Sequence, residues 1–204
     1  GDAEYLKIED QVLNSLKKMT GHSHIARLQG SASLALEIMT SNFLFGKVLV
    51  VNTGYYSERM IRLAKDAKVY KNITKVNSVD WKEISDISNS FDWIIACPTE
   101  TSCGLKLPIE DLYKFAKNCN AKLMLDATAS VGLESGHELA DVLAYSSCKG
   151  LFGLTGAAFI AFNKLPDFNP SSFYLDITSH LERKMTGPYH AIASLSGVLR
   201  DHKA

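Results

Sequence analysis

The chain has 204 residues, of which 46% are hydrophobic, enough for one sizeable domain with a buried core. Its 22 basic and 22 acidic residues balance, so no basic surface is indicated and nucleic acid is not an expected partner. No apolar run approaches the roughly 20 residues of a membrane span, and no signal peptide is visible, so we expect a cytoplasmic protein that does not bind membranes.

Helical and strand patterns alternate along the chain. Helices are predicted over residues 4–19, 31–44, 57–67, 80–89, 176–185 and 191–201, with a further one starting at Pro108. Buried strands are predicted at 48–51, 92–97, 122–125, 142–145 and 157–162, with a short strand and turn at 69–76. This alternation predicts an α/β fold, a three-layer α/β/α sandwich with a mainly parallel sheet of about seven strands.

Two of the predicted strands lead to residues whose side chains could take part in a reaction. The apolar run Leu123–Leu125 leads into Asp126, and the run Val142–Tyr145 leads through two serines and a cysteine to Lys149. Ligands of parallel sheets bind beyond the carboxyl ends of the strands, so we expect both side chains in one crevice. A lysine that forms a Schiff base, facing an aspartate that holds a pyridinium nitrogen, is the protein half of pyridoxal phosphate chemistry.

Taken singly, each of these residues has a commoner structural use. An aspartate at a strand end often caps a helix or a turn, and a lysine after a strand is often a solvated charge. Ser31, before the second helix, has the same two interpretations: an ordinary N-cap, or part of an anion site at a helix N-terminus. Tyr56, in the loop after a strand, is either half-exposed or placed to face a ligand.

The cysteines and histidines do not form a metal-binding pattern, and no metal is expected. Cys97 and Cys119 are predicted to be core residues, whereas Cys103 and Cys148 fall inside the candidate site. None of the four has CxxC spacing or a histidine partner, and reduced cytosolic thiols are the expectation.

Five short motifs occur in the order found in one family. They are Gly30–Ser33, Thr53–Arg59, Glu100–Gly104, Asp126–Ser130, and the Ser-Ser-Cys-Lys run at 146–149 with the glycine-rich loop that follows it. Through these motifs nearly the whole chain resembles the class V aminotransferases of the fold-type I pyridoxal phosphate enzymes. It is most similar to 2-aminoethylphosphonate–pyruvate transaminases, followed by alanine–glyoxylate and serine–pyruvate transaminases.

The resemblance implies a role for each matching residue. Lys149 would hold pyridoxal 5'-phosphate as a Schiff base and act as the general base, and Asp126 would pair with the ring nitrogen. The other residues implied to bind the cofactor are Ser31, Ala32, Ser33, Tyr56, Thr101, Thr128 and Ser147. Thr186 and Tyr189 match a segment that reaches the phosphate of the partner subunit, so a homodimer is implied.

The chain departs from the family pattern at a few positions. Ala32 replaces a glycine, Ser33 a threonine and Tyr189 a threonine, and Cys148 stands where relatives carry an amide or a histidine. Cysteine desulfurases have a glutamine at the position of Ala129, which weighs against that activity. Residues 1–204 are expected to form the large, cofactor-binding domain, with the family's smaller C-terminal domain, which supplies the carboxylate-binding arginine, absent from this chain.

The favoured function is transfer of an amino group from a small amine or amino acid to a 2-oxo acid such as pyruvate. Alternatives are a lyase or racemase on the same site, or a non-catalytic relative, against which the presence of both Asp126 and Lys149 counts. A nucleotide-binding Rossmann module is disfavoured because no GxGxxG motif follows the first predicted strand.

Overall fold

The computed structural model describes residues 3–70, 73–182 and 185–201. Their strands are β1 (His24–Gln29), β2 (Gly46–Asn52), β3 (Ile73–Asp80), β4 (Trp93–Ala96), β5 (Thr99–Glu100), β6 (Leu105–Lys106), β7 (Lys122–Asp126), β8 (Val142–Ser146) and β9 (Ala157–Phe162). Their α-helices are α1 (Ala3–Thr20), α2 (Ala32–Phe43), α3 (Tyr55–Asp66), α4 (Ile109–Asn118), α5 (Ile177–Leu181) and α6 (Tyr189–Asp201). Short 3₁₀ turns follow at Ala67–Val69, Trp81–Asp86 and His137–Leu139.

Seven of these strands form one sheet in the order β1-β9-β8-β7-β4-β2-β3. The pairs from β8 to β3 are parallel, whereas β9 runs antiparallel to both of its neighbours. The predicted mainly parallel sheet of about seven strands is therefore confirmed. The short strands β5 and β6 form a separate hairpin between β4 and α4.

Each face of the sheet is covered by helices, which produces the predicted three layers. Along β2, Leu49 and Val51 pack in a core with side chains of α1, α4 and α6, while Val48 and Val50 pack with α2, α3 and α5. Side chains of successive residues point to opposite faces of a sheet, so a strand with both faces covered is a continuous apolar run.

One strand of the sheet, β1, was not predicted from the sequence. β1 contains His24 and Arg27, and a strand with a central arginine does not have the apolar pattern of a core strand. Arg27 is nevertheless buried because its Nε lies 2.7 Å from Glu9 Oε1 on α1. The ion pair compensates a charge that strand periodicity alone would exclude from the core.

Several predicted bounds also differ from the structure. The strand predicted at 69–76 is at Ile73–Asp80, the helix predicted at 80–89 is a 3₁₀ turn, and the helix predicted over 176–185 is limited to Ile177–Leu181 among the described residues. Residues 71–72 and 183–184, which fall within these predictions, lie outside the described residues. Polar stretches with few apolar positions carry a weak periodic signal, and this is why these bounds were the least accurate.

Candidate active site

A cavity of about 620 Å³ opens at the carboxyl ends of the parallel strands. Most of the residues predicted to bind a cofactor line it: Ser31, Ala32, Ser33, Tyr56, Thr101, Asp126, Thr128 and Lys149. They come from segments far apart in the chain and meet here because the strands before them run in the same direction in one sheet, so their carboxyl ends lie at the same edge. The structure therefore places these eight of the sequence-predicted residues around one space.

Asp126 and Lys149 lie on adjacent strand ends. β7 ends at Asp126, which is in register with Ala144 of the parallel strand β8, and Lys149, whose side chain is exposed, lies in the turn that follows β8. Gly150 allows this turn to approach the loop after β7, since a Cβ added there would lie 2.2 Å from the Val131 carbonyl oxygen. The backbone N–H of Gly150 donates to the Thr128 carbonyl oxygen at 3.4 Å. The two loops are thus fastened to each other.

The Asp126 carboxylate is buried and accepts three hydrogen bonds. Its Oδ1 accepts from the backbone N–H of Thr128 at 3.2 Å and from Thr128 Oγ1 at 2.6 Å. Its Oδ2 accepts from Arg59 Nη2 at 3.0 Å. These contacts hold the carboxylate in one orientation, and a carboxylate has about four lone-pair sites, so one acceptor site stays open to a ligand.

The N-terminus of α2 forms another wall of the cavity. Ser31 is the N-cap residue, yet its side chain makes no capping hydrogen bond within the described residues. The commoner use of an N-cap serine is therefore not observed here. Free backbone N–H groups and the helix dipole make such an end suitable for an anion.

A buried carboxylate, that of Glu100, holds the start of α3. Its Oε2 accepts from the backbone N–H groups of Tyr56 and Ser57, each at 3.1 Å, and its Oε1 accepts from Ser102 Oγ at 2.5 Å. Burial favours the neutral form, but the hydrogen bonds from Ser102, Ser57 and Tyr56 outweigh it, so the pKa of Glu100 lies below its ordinary value. Gly54, at φ +148°, lets the preceding loop pass close to this side chain.

Tyr56 and Arg59 extend from α3 to the cavity. The guanidinium carbon of Arg59 lies 5.1 Å from the centroid of the Tyr56 ring, a cation–π contact that restrains both side chains. Arg59 Nη1 also donates to Ser33 Oγ at 3.1 Å. α3 is therefore linked to both the Asp126 strand end and the α2 N-terminus.

Three of the predicted residues do not line the cavity. Ser147 is fully buried, and its hydroxyl donates to the carbonyl oxygens of Leu154 at 2.5 Å and Ala157 at 3.1 Å, which fastens the loop after Lys149. Thr186 is exposed and its carbonyl oxygen accepts from Arg27 Nη1 at 3.2 Å. Tyr189 opens α6, and its ring packs against that of Tyr5.

One cysteine is placed differently from its prediction. Cys97 is a buried core residue, as expected, and it also lines the cavity, where burial first and the charge of Asp126 second raise the pKa of its thiol. Cys103 was expected in the site, but it does not line the cavity, and its Sγ contacts the Thr53 carbonyl oxygen at 3.3 Å. Cys148 lines the cavity as expected.

Arg59, which lines the cavity, and Glu100, which holds the start of α3, are two residues to which no role was assigned from the sequence. Both lie within the motifs quoted above, and Arg59 follows Tyr56 by three residues, so the two side chains share a face of the helix. That spacing could have indicated that Arg59 lies at the same site as Tyr56. The sequence did not show that α3 lies beside the end of β7.

The fold is that of aminotransferases. Solved structures that match 98% of the chain include an aspartate aminotransferase of subgroup IV from Thermus thermophilus (TM-score 0.84, 20% identity, 62% of that chain). A pyridoxamine–pyruvate aminotransferase from Mesorhizobium loti matches similarly (TM-score 0.84, 18% identity, 58% of that chain).

Curated relatives extend the likeness to sequence. A 2-aminoethylphosphonate–pyruvate transaminase of Klebsiella pneumoniae is 24% identical over 95% of this chain and 59% of its own length. The enzyme of that name from Pseudomonas aeruginosa PAO1 is 26% identical over 99% of this chain and 61% of its own. The chain thus spans about three-fifths of the length of these relatives. No model of a known protein family matches the chain.

The resemblance inferred from the motifs is confirmed by these similarities: class V aminotransferases are similar to this chain in fold, and 2-aminoethylphosphonate–pyruvate transaminases are similar in sequence. No helix within the described ranges is long and apolar enough to cross a membrane.

Proposed function

We propose that the chain is the cofactor-binding large domain of a pyridoxal phosphate-dependent aminotransferase. It moves an amino group from a small amine or amino acid, with 2-aminoethylphosphonate as the first candidate, to a 2-oxo acid such as pyruvate. The observation that carries the proposal is the meeting of Asp126, Lys149 and the α2 N-terminus in one cavity. The names of the sequence relatives support the choice of substrates.

The residues of the cavity fit the cofactor. Its volume of about 620 Å³ falls within the roughly 300–1,000 Å³ of small-molecule sites. Ser31 keeps its hydroxyl free of capping, and Arg59 Nε is a buried donor with no hydrogen-bond partner among the described residues. An anionic phosphate at the helix end and an aromatic ring above the sheet match these donors and the Tyr56 side chain.

Bound pyridoxal phosphate supplies an electron sink that stabilises negative charge at the substrate carbon. In the proposal, Lys149 would hold the cofactor covalently, and its free amine would act as the general base that takes up the proton from the substrate carbon. Asp126 would pair with the ring nitrogen and keep it protonated, because a nearby negative charge favours the cationic form. Each chain residue thus supplies orientation, charge or a proton acceptor.

The remaining cavity residues position the cofactor in this proposal. Ser31, Ala32 and Ser33 would bind the phosphate, and Tyr56, Thr128 and Thr101 would hold the ring, since all of them line the cavity. Ser147 acts indirectly, since its hydroxyl holds the loop after Lys149.

We further propose a cytoplasmic homodimer in which Thr186 and Tyr189 approach the phosphate of the neighbouring subunit. Exposed apolar side chains near the site support an interface: Phe152 is 70% exposed and Leu154 58%. The loop that carries them contacts α6, because the backbone N–H of Leu154 donates to Ser194 Oγ at 3.3 Å. The carboxylate of the 2-oxo acid, or of an amino-acid donor, is proposed to be bound by an arginine outside residues 1–204.

Reduction with borohydride tests the assignment of Lys149. The full-length protein, purified with pyridoxal phosphate, is expected to be yellow, and reduction should fix the cofactor on the peptide that contains Lys149. A Lys149→Ala variant should lose the label and the turnover of 2-aminoethylphosphonate or other amines with pyruvate. Lys164→Gln, at an exposed lysine, is the matched control. Label on a different lysine would rule out the assignment, and elimination or racemisation without amino transfer would favour the lyase or racemase.

A further inference from the structure

We propose that Arg59 is a positioning residue that links the ring-nitrogen end of the cofactor site to its phosphate end and sets the charge that the cofactor meets at Asp126. This inference rests on the proposed function. The role is an addition to the proposed function, because neither the motifs nor the proposed reaction assigns one to Arg59.

The geometry of the Arg59 side chain carries the inference. One arm of its guanidinium, Nη2, donates to Asp126 Oδ2 at 3.0 Å, and the other arm, Nη1, donates to Ser33 Oγ at 3.1 Å. Asp126 ends a strand, Ser33 lies in the first turn of α2, and Arg59 itself belongs to α3. A single planar group thus connects three elements that meet around the cavity.

The partner carboxylate is almost completely shielded from water. The side chain of Asp126 is 2% exposed and that of Arg59 is 27% exposed, whereas Arg62, one turn further along α3, is 84% exposed and pairs only weakly with Asp66 at 3.7 Å. Screening by water is weak between charges of which one is buried, so the Arg59–Asp126 pair acts more strongly than a surface pair.

The contact with Ser33 also has a directional consequence. Because the Ser33 oxygen accepts the Arg59 N–H, its own hydroxyl hydrogen is free to turn to an acceptor in the cavity. An anionic phosphate at the α2 N-terminus is such an acceptor. Arg59 therefore orients the donor for the phosphate while it fixes the carboxylate for the ring.

The positive charge of Arg59 offsets part of the negative charge that Asp126 presents to the cofactor. Removing that charge stabilises the cationic, protonated form of the bound cofactor. The midpoint of the pH titration of its visible absorbance band should therefore rise. In Arg59→Lys the positive charge is kept, but the forked guanidinium that reaches two acceptors is lost. This variant should therefore keep the pH midpoint of wild type and bind pyridoxal phosphate more weakly.

The experiment compares Arg59→Met, Arg59→Lys and Arg62→Met in the full-length protein. Two quantities are measured: the dissociation constant of pyridoxal phosphate added to the apoprotein, and the pH midpoint of the visible band. We expect Arg59→Met to weaken binding at least tenfold and to raise the midpoint by about one pH unit. Arg59→Lys should weaken binding with the midpoint near that of wild type, and Arg62→Met should change neither.

The outcomes separate this inference from the proposed function. Wild-type protein that does not bind pyridoxal phosphate would contradict the proposed function itself. Wild-type binding together with an unchanged affinity and midpoint in folded Arg59→Met would overturn the role of Arg59 alone. If circular dichroism shows that Arg59→Met does not fold, Arg59→Lys and Ser33→Ala decide: both should weaken binding, and wild-type affinity in both would overturn the proposal.

Discussion

Single side chains decide the chemistry of this protein, and Asp126 is the clearest example. Its carboxylate is buried among three hydrogen-bond donors and would serve as the anionic partner of the cofactor ring. An amide at this position keeps the size of the side chain and removes the charge. The substitution therefore tests the electrostatic role and not the packing.

Asp126→Asn is expected to leave the fold nearly intact and to reduce turnover by about three orders of magnitude, which corresponds to roughly 4 kcal/mol of barrier at 1.36 kcal/mol per tenfold. The physical reason is that an amide does not stabilise a protonated ring nitrogen. Circular dichroism and single-turnover amino transfer are the measurements. Wild-type turnover in a folded variant would show that Asp126 does not have this role.

A second residue-scale effect concerns His137, which lies outside the cavity. It is 2% exposed, its Nε2 is 2.9 Å from Ser130 Oγ, and burial lowers its pKa from 6.5 to about 4 despite the opposing charges of Glu138 and Glu134. The imidazole is thus neutral in the folded protein. In the unfolded chain it takes up a proton below about pH 6.5.

The pKa of His137 is lower in the folded protein than in the unfolded chain. Its contribution to the stability of the fold is therefore complete above pH 6.5 and is lost as the pH falls towards 4. The loss is expected to be about 3 kcal/mol for this residue. Thermal melts of wild type and His137→Gln between pH 7.5 and 4 are the comparison. The melting temperature of wild type should fall more steeply over this range, and parallel curves would contradict the prediction.

At the scale of the elements, α3 is positioned by a carboxylate that belongs to a different segment. Glu100, in the hairpin after β4, accepts the N–H groups at the start of α3, whose side chains Tyr56 and Arg59 then reach the cavity. A carboxylate at a helix N-terminus is favoured by the helix dipole as well as by these hydrogen bonds. The hairpin and the helix therefore act as one unit.

Glu100→Gln is expected to destabilise the protein by about 2 kcal/mol, because the amide replaces one acceptor by a donor that faces other donors. Affinity for pyridoxal phosphate should fall with it, through the displaced start of α3. Glu58→Gln, on an exposed position of the same helix, is the control and should change little. Equal effects of the two substitutions on melting temperature and cofactor affinity would contradict the capping role.

The lowered pKa of Glu100 adds a pH dependence to the same comparison. Its stabilising contribution is present above the ordinary carboxyl value of 4.5 and is lost as the pH falls through the lower folded value. The stability difference between wild type and Glu100→Gln should therefore shrink in that acidic range.

At the scale of the whole molecule, the described residues hold the proposed cofactor contacts but no assigned clamp for a substrate carboxylate. Arg27 is paired with Glu9, Arg59 with Asp126, and Arg62 lies exposed on α3. Arg200 is in the last turn of α6, and Arg183 lies outside the described residues. A bidentate arginine gives both affinity and orientation to a carboxylate, so its position determines where substrate binds.

We therefore predict that residues 1–204 alone bind pyridoxal phosphate weakly and do not transaminate efficiently. The comparison is single-turnover conversion of the cofactor to its amine form at saturating amine, for this segment and for the full-length protein. The segment should be slower by orders of magnitude. Equal rates would place the substrate site within residues 1–204 and make one of the arginines named above the clamp.

Local sequence determined the layers of this fold and the chemistry of its strand ends. Runs such as Leu123–Leu125 and Val142–Tyr145 are apolar because both faces of the sheet are covered, and that alone marks them as central strands. The residues at their ends, Asp126 and Lys149, then followed from the rule that parallel strands deliver ligand contacts at one edge. Both inferences depend only on neighbours in the chain.

Tertiary structure alone decided the features that depend on pairs of distant residues. β1 pairs with β9, and its Arg27 is buried against Glu9 of α1, while the start of α3 is held by Glu100. Arg59 belongs to the site because the fold places α3 beside Asp126 and Ser33. Ser147 does not line the site because its hydroxyl donates to a carbonyl oxygen of the following loop. Buried charges and hydroxyls are stable only with partners, and a partner far along the chain leaves no periodic signal in the sequence.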